Sequence, residues 1–197
     1  MKRILTAFMA LLSALILCTC STSENKQETD YIALMVDAAV SGDYVQGKGA
    51  EQLNREHLRT LGTEDGAISF DELLLLSKFI QLQSTLFRGN ETLMLCTGEV
   101  ALNRLSSREF PNNLEDVISQ LADTEHEDFT RKPSKYCVQL ALRLLRGERL
   151  LAPHVVHWSI EPQEDAYATF CDRQQNFVYF CESEHPRFYH LPNKKPT

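Results

Sequence analysis

The chain has 197 residues, 43% of them hydrophobic and 24% charged, with a formal net charge of −7 at pH 7. That balance fits a soluble protein able to bury a real core, and the length fits one domain of moderate size with short appendages. The negative charge argues against nucleic acid as a partner, because such binding rests on phosphate neutralisation by Lys and Arg.

Lys2 and Arg3 precede an apolar run from Leu5 to Leu17. The run is short for a membrane span and reads as a secretion signal over residues 1–20, with a retained anchor as the alternative. Losing Lys2 and Arg3 with it takes the net charge from −7 to −9. Leu17-Cys18-Thr19-Cys20 is a loose lipoprotein box, in which Thr19 stands where Gly, Ala or Ser is usual. Ordinary cleavage and lipidation of Cys20 both stay open; lipidation would tether the chain to a membrane surface without spanning it.

Residues 21–68 read as a linker and a helical extension. Ser21 to Asp30 is polar, Tyr31 to Val40 has helical apolar spacing, and Ser41-Gly42-Asp43 interrupts it. Gly49 to Leu61 is charged and amphipathic and is closed by Gly62. Asp65, Gly66 and Glu72 imitate half of a calcium loop, but its first ligand would be Leu61, which cannot coordinate. Ser69 and Glu72 are better read as a capping box that opens the main domain.

That domain, residues 69–197, begins with a helix through Leu73, Leu76, Phe79 and Ile80 to about Leu86. A second helix, Glu91–Leu105, carries Leu93, Cys96, Val100 and Ala101 on one face. Phe110-Pro111 breaks it, and Asn113 caps a short helix through Val117, Ile118 and Leu121. Pro133-Ser134 starts a helix over Lys135–Arg146 that Gly147 ends. The pattern then turns to alternation: His154–Ile160, Ala166–Asp172 and Gln175–Glu182 read as strands. The predicted fold class is α+β, mainly α, with a small antiparallel sheet at the C-terminal end.

Past the leader stand Cys96, Cys137, Cys171 and Cys181. An even count in an exported chain permits two disulfides in any of three pairings. Cys171 and Cys181 flank a hairpin while Cys96 and Cys137 sit on helices, so 171–181 with 96–137 is the simplest pairing; four buried free thiols is the other reading. No Cys-x-x-Cys spacing points to a metal, and His154 and His157, three apart on a strand, face opposite ways. Arg143, Arg146 and Arg149 alternate with leucines and read as a solvated helix face. Trp158, Tyr167 and Tyr179 read either as a sugar-stacking platform or as the core of the sheet.

Gly98-Glu-Val-Ala-Leu-Asn-Arg104, Ser106-Ser-Arg-Glu-Phe-Pro-Asn112 and Leu114-Glu-Asp-Val-Ile118, taken together, resemble the signature of the SleB-type cell-wall hydrolases, which cut peptidoglycan glycan strands. The run Pro133 to Leu150 resembles that family's last long helix, and Tyr167-Ala-Thr with Tyr179-Phe-Cys181 its hairpin. The resemblance covers roughly Ser69 to Tyr189 and implies a lysozyme- or transglycosylase-like helical domain, acting on peptidoglycan without a cofactor or metal. It also implies a bacterial, exported protein.

The family places its catalytic glutamate in an Ala-Glu-Ala or Ala-Glu-Ser step; here the step is Leu82-Gln83-Ser84. Gln83 lies seven residues after Leu76, two turns along the same buried stripe. Glutamine has the shape of glutamate and no labile proton, so it cannot act as general acid. An alignment with a shorter following loop puts Thr85 there instead. The family's cleft glutamine aligns with Asp123 and its cleft aromatic with Thr124, after Gln120. The expected site set is therefore Gln83, Asp123 and Glu99 for catalysis, with Gln120, Thr124 and Tyr179 for substrate. Glu99 and Glu91 are the nearest carboxylates to a missing acid, and Glu99 reads as structural, buried against Arg104 or a backbone amide. Peptidoglycan binding with weak or absent cleavage between N-acetylmuramic acid and N-acetylglucosamine is the expectation. A structural envelope lipoprotein or interaction module is the alternative.

Overall fold

The computed structural model describes residues 30–182, so the leader, Cys20 and the linker to residue 29 lie outside the described residues. The chain divides into two compact units, one running to Ala38 and resuming at Asp43–Ala67, the other formed by Ala39–Gly42 and everything from Ile68. The fold class is mainly α, with a small antiparallel sheet following the helices.

In the first unit, helix α1 (30–41) contributes its residues to Ala38, and α2 spans Tyr44–Leu61. Asp43 caps α2 by accepting from the Gln46 amide at 3.0 Å, and Gly62 closes it with φ 71°. Glu51 is buried on α2 and takes Lys48 at 2.5 Å and Arg55 at 2.8 Å, so its charge is neutralised from both sides. Glu64–Gly66 is a single 3-10 turn, and Glu72 lies beyond it in the next helix.

The second unit is built around α4. Helix α3 (Phe70–Leu86) starts at Ser69, whose hydroxyl accepts from the Glu72 amide at 3.5 Å. A short turn leads to α4 (Glu91–Leu105), capped by Asn90. Helices α5 (Leu114–Leu121), α6 (Glu127–Thr130) and α7 (Lys135–Leu145) follow, and Asn113 and Ser134 cap α5 and α7 by the same acceptance. Amphipathic spacing predicts one buried face for α4, yet every residue from Leu93 to Arg104 is buried. The reason is position: α3 and α7 cover one side of α4, and the sheet covers another.

Gly98 makes the helix packing possible. A Cβ built there would meet the Leu144 Cδ1 of α7 at 2.6 Å and the Ile80 Cδ1 of α3 at 3.1 Å. Leu144 and Ile80 are themselves fully buried and have nowhere to retreat. The glycine thus lets α4 approach both neighbours at once, at the ordinary entropic cost of glycine in a helix.

Strands β1 (Val155–Ser159), β2 (Ala166–Cys171) and β3 (Phe177–Glu182) form an antiparallel sheet in the order β1-β3-β2. Val155 faces Glu182 and His157 faces Cys181, so Val156 is an extra residue in a bulge. The bulge lets Val155 and Val156 both be buried. Phe87, Leu93, Cys96 and Val100 pack with Leu151, Val155, Val178 and Phe180 into the core between α4 and the sheet. Burying each large apolar side chain of that cluster contributes roughly 1.5–3 kcal/mol relative to exposure.

Three expectations are corrected. All four cysteines are free thiols. Cys171 pairs with Phe177 and Cys181 with Ala166, so the two cysteines stand at opposite ends of the β2–β3 ladder. Five residues of strand at about 3.4 Å each separate them, well past the ~7 Å limit between bridged Cα atoms. Cys96 joins the cluster facing the sheet, two residues (about 200° of helix) from Gly98, which faces α7, so it points away from the helix that bears Cys137. The aromatic platform fails too: Trp158 pairs with the buried Phe180 and packs on Phe87, whereas Tyr179, one residue along β3, faces the other way and Tyr167 is 54% exposed. Arg143 is no mere solvated charge, since it bridges Glu91 at 2.7 Å and Glu148 at 2.6 Å.

Gly98→Ala is expected to destabilise the protein by about 1–2 kcal/mol, overpacking outweighing the gain in helix propensity. Gly49→Ala in α2, where nothing lies within 4 Å of the added Cβ, is expected to stabilise it by about 0.5–1 kcal/mol. Urea midpoints of the two variants, shifting in opposite directions, check the pair. In the native protein a maleimide is expected to modify exposed Cys171 first, and to reach buried Cys96 and Cys137 only in denaturant, as read by peptide mass.

Candidate functional site

The signature stretch on α4 turns three buried polar side chains toward residues 150–157. Glu99 accepts from the Leu150 amide at 2.7 Å and from the Leu151 amide at 3.1 Å on each carboxylate oxygen. One turn on, the Asn103 Nδ2 donates to the Ala152 carbonyl at 3.1 Å and the Val155 carbonyl at 2.9 Å. Arg104 donates from Nε to the Val156 carbonyl at 2.7 Å and from an Nη to His157 Nδ1 at 2.9 Å. Val156 is the bulged residue, and Arg104 supplies the partner that the ladder denies its carbonyl.

Glu99 was expected against Arg104 or a backbone amide; it takes the amides, and Arg104 goes to β1. Burial pushes the Glu99 carboxyl above its ordinary range, opposed by the hydrogen bonds from Leu150 and Leu151 and by the Arg149 charge. Burial, with Glu99 nearby, pushes the Cys96 thiol up to about 12, so it is inert at neutral pH.

The expected site residues are carried by four different elements of the second unit, α3, α4, α5 with its following turn, and β3. Gln83 is buried on α3, 5% exposed, one turn beyond Ile80. Glu99 is committed to the 150–151 backbone. Asp123 lies exposed after α5, where its carboxylate accepts from the Glu125 amide at 3.0 Å and so closes a turn. Gln120 is exposed on α5 and Thr124 half-buried in the same turn. Tyr179 is half-buried on the sheet face away from α4, beside Phe177. Thr85 is exposed, and Glu91 is held by Tyr136 and Arg143. Two cavities lie elsewhere than at Gln83, Glu99, Asp123, Gln120, Thr124 and Tyr179. One of those cavities lies along α2, between Lys48, Glu51, Gln52 and Arg55.

The other cavity, about 180 Å³, opens at the sheet and is lined by His157, Trp158, Ser159, Gln163, Asp165, Cys181 and Glu182. Across the ladder Cys181 lies between His157 on β1 and Ala166 on β2, and the 160–165 loop brings Gln163 and Asp165 over it. Arginine has no acceptor, so the Arg104 bond makes His157 Nδ1 the bare nitrogen and puts the proton of the neutral ring on Nε2. His154 has separate partners, Glu182 at 2.8 Å and the Tyr167 ring at 5.1 Å. Sequence reasoning missed this cavity because its members carry no motif. The one usable signal was Arg104, a charged residue on a helix too buried to leave it unpartnered.

The Glu99 anchor gives a pH test. A carboxyl whose pKa is raised by folding stabilises the fold most below its unfolded pKa and loses that contribution as pH rises through the folded value. Glu99→Gln is expected to cost about 1–3 kcal/mol at acid pH, where its amide nitrogen opposes a backbone donor. The stability gap between wild type and Glu99→Gln is expected to narrow from pH 4 toward neutrality, measured by urea denaturation of both across that range.

No family model matches the chain, and comparison with curated proteins and with solved structures finds no match.

Proposed function

We propose that this chain is an exported, glycan-strand-binding relative of the SleB-type cell-wall hydrolases, one that holds peptidoglycan without cutting it. The observation that carries the reading is where the carboxylates near α4 are spent. Glu99 takes two backbone amides and Asp123 closes an exposed turn, so both have structural work. At the position that the resemblance assigns to the general acid stands Gln83, an amide without a proton to give.

The scaffold part of the signature is the part with partners here. Glu99, Asn103 and Arg104 make the buried bonds that hold the segment leading into the sheet. The cleft part is the part that departs from the family pattern, at Gln83, Asp123 and Thr124. A domain that has kept its fold and given up its chemistry would divide its residues in this way. Export rests on residues 1–20, and attachment to a membrane surface rests on Cys20.

Purified peptidoglycan incubated with the mature chain tests the reading by co-sedimentation, turbidity and mass-spectrometric detection of released muropeptides. Wild type is expected to sediment with the polymer and to release nothing, and Gln83→Glu to gain detectable cleavage. Wild-type cleavage that Gln83→Ala leaves unchanged would move the site to Asp123 or Glu99. A wild-type chain that stays in the supernatant would reject the glycan reading.

A further inference from the structure

We infer that the outer edge of β2 pairs with the same edge of a second copy of this chain, antiparallel and about a two-fold axis at Thr169. The sheet order β1-β3-β2 leaves two outer strands, and their edges differ. On β1 the bulge at Val156 interrupts the edge, and Asn103 and Arg104 occupy the carbonyls of Val155 and Val156. On β2 the alternation of an antiparallel ladder fixes which backbone groups turn outward. The Asp172 amide donates to the Asn176 carbonyl at 2.9 Å, so residue 172 faces β3, and in the same register so do 170 and 168. Thr169 and Cys171 therefore point their N–H and C=O away from β3. The Asn90 side chain agrees from the outer side, donating to the Cys171 carbonyl at 2.9 Å. The Thr169 N–H and C=O have no hydrogen-bond partner among the described residues.

Folded proteins guard such edges with charge, proline, bulges or cover. Ala166-Tyr-Ala-Thr-Phe-Cys171 carries neither charge nor proline. The register shift between Ala166 and Ala168 guards its start and Asn90 its end, and exposed Thr169 lies open between them. That geometry selects the partner. In self-pairing, the Thr169 amide of each copy donates to the Thr169 carbonyl of the other, so the axis uses both open groups twice. The strand ends then match in charge. Glu164 and Asp165, both exposed, precede β2; Arg173 follows it, and Arg88 lies against the Gln174 side chain. Asp172 at that end spends its carboxylate on the Gln174 and Asn176 amides. Antiparallel pairing sets the acidic start of each strand beside the basic end of the other, and opposite charges across paired strands stabilise them. An arbitrary extended peptide brings no such match. The product is one six-stranded sheet whose outer strands are the two copies of β1, already closed by Asn103 and Arg104. So short a contact belongs to the small, transient class of interface, below ~1,200 Å².

The test is sedimentation velocity of the full mature chain from about 1 µM to about 1 mM, the range in which weak pairs form. Monomer is expected at the low end and dimer at the high end. Thr169→Pro removes the outward amide and spares the ladder to β3, so it is expected to stay monomeric throughout, with far-UV circular dichroism unchanged. Cross-linking needs no disruptive variant. Residues that exchange both bonds have Cα atoms about 5.5 Å apart, inside the ~4.4–6.8 Å span of a disulfide. Thr169→Cys in a Cys171→Ser background is expected to give a disulfide-linked dimer on mild oxidation. Ser119→Cys in the same background, exposed on α5, is expected to stay monomeric. A wild type that stays monomeric to the highest concentration overturns the inference and leaves the edge to an extended peptide or to no partner. Dimers that a folded Thr169→Pro forms equally well, or equal cross-linking at positions 119 and 169, overturn it too.

Discussion

Glu99 receives the amides of Leu150 and Leu151 in its carboxylate, and the C-terminal half of the second unit is organised by that contact and the two beside it. Residues 150–154 lead into β1 as irregular backbone and the bulge at Val156 interrupts the strand itself, so this stretch brings donors and acceptors that no ladder satisfies. Water cannot reach most of them. Leaving one such group unpaired costs on the order of 1–3 kcal/mol, comparable to the gain from burying a leucine. Glu99, Asn103 and Arg104 between them answer for two amides and three carbonyls, all from one helix. The helix must be close to do so, and Gly98 is what allows it to be close to α3 and α7 at the same time.

Local rules made the elements legible. Ser69, Asn90, Asn113 and Ser134 each cap the helix that follows, and the alternation after Ala152 gives three strands with edges within a few residues of those observed. What the sequence hides is pairing at a distance. Nothing near Cys171 or Cys181 tells that the hairpin puts them at opposite ends, because that depends on register, and register is set by the bulged β1–β3 and β2–β3 ladders. The burial of α4 on all sides is hidden for the same reason, since periodicity records one face and says nothing of a second layer. Gln83 was rightly placed on a buried stripe, whereas Asp123, Gln120 and Tyr179 were joined to it by resemblance alone, since they belong to other elements and periodicity says nothing of their position.

The sheet cavity shows why a pocket of this kind escapes inspection of the chain. Its residues come from a strand, a loop and a returning strand, and only the ladder brings positions 157 and 181 face to face. Its polarity is prepared from behind. Arg104 lies buried on α4, cancels part of the bulge, stacks its guanidinium 4.8 Å from the Phe110 ring and fixes the tautomer of His157. A residue that reads as scaffold in the sequence therefore also fixes the His157 ring on β1, at the wall of the cavity.

The two ends of α4 both hold the sheet. At its start the Asn90 side chain donates to the Cys171 carbonyl at 2.9 Å, and Arg173 reaches the Gly89 carbonyl at 3.3 Å; at its end Arg104 holds β1. The helix thus acts as a splint along the three strands. A sheet of three strands, five or six residues each, draws its stability from the apolar face it packs on α4. Loosening α4 would therefore release both ends of the sheet at once.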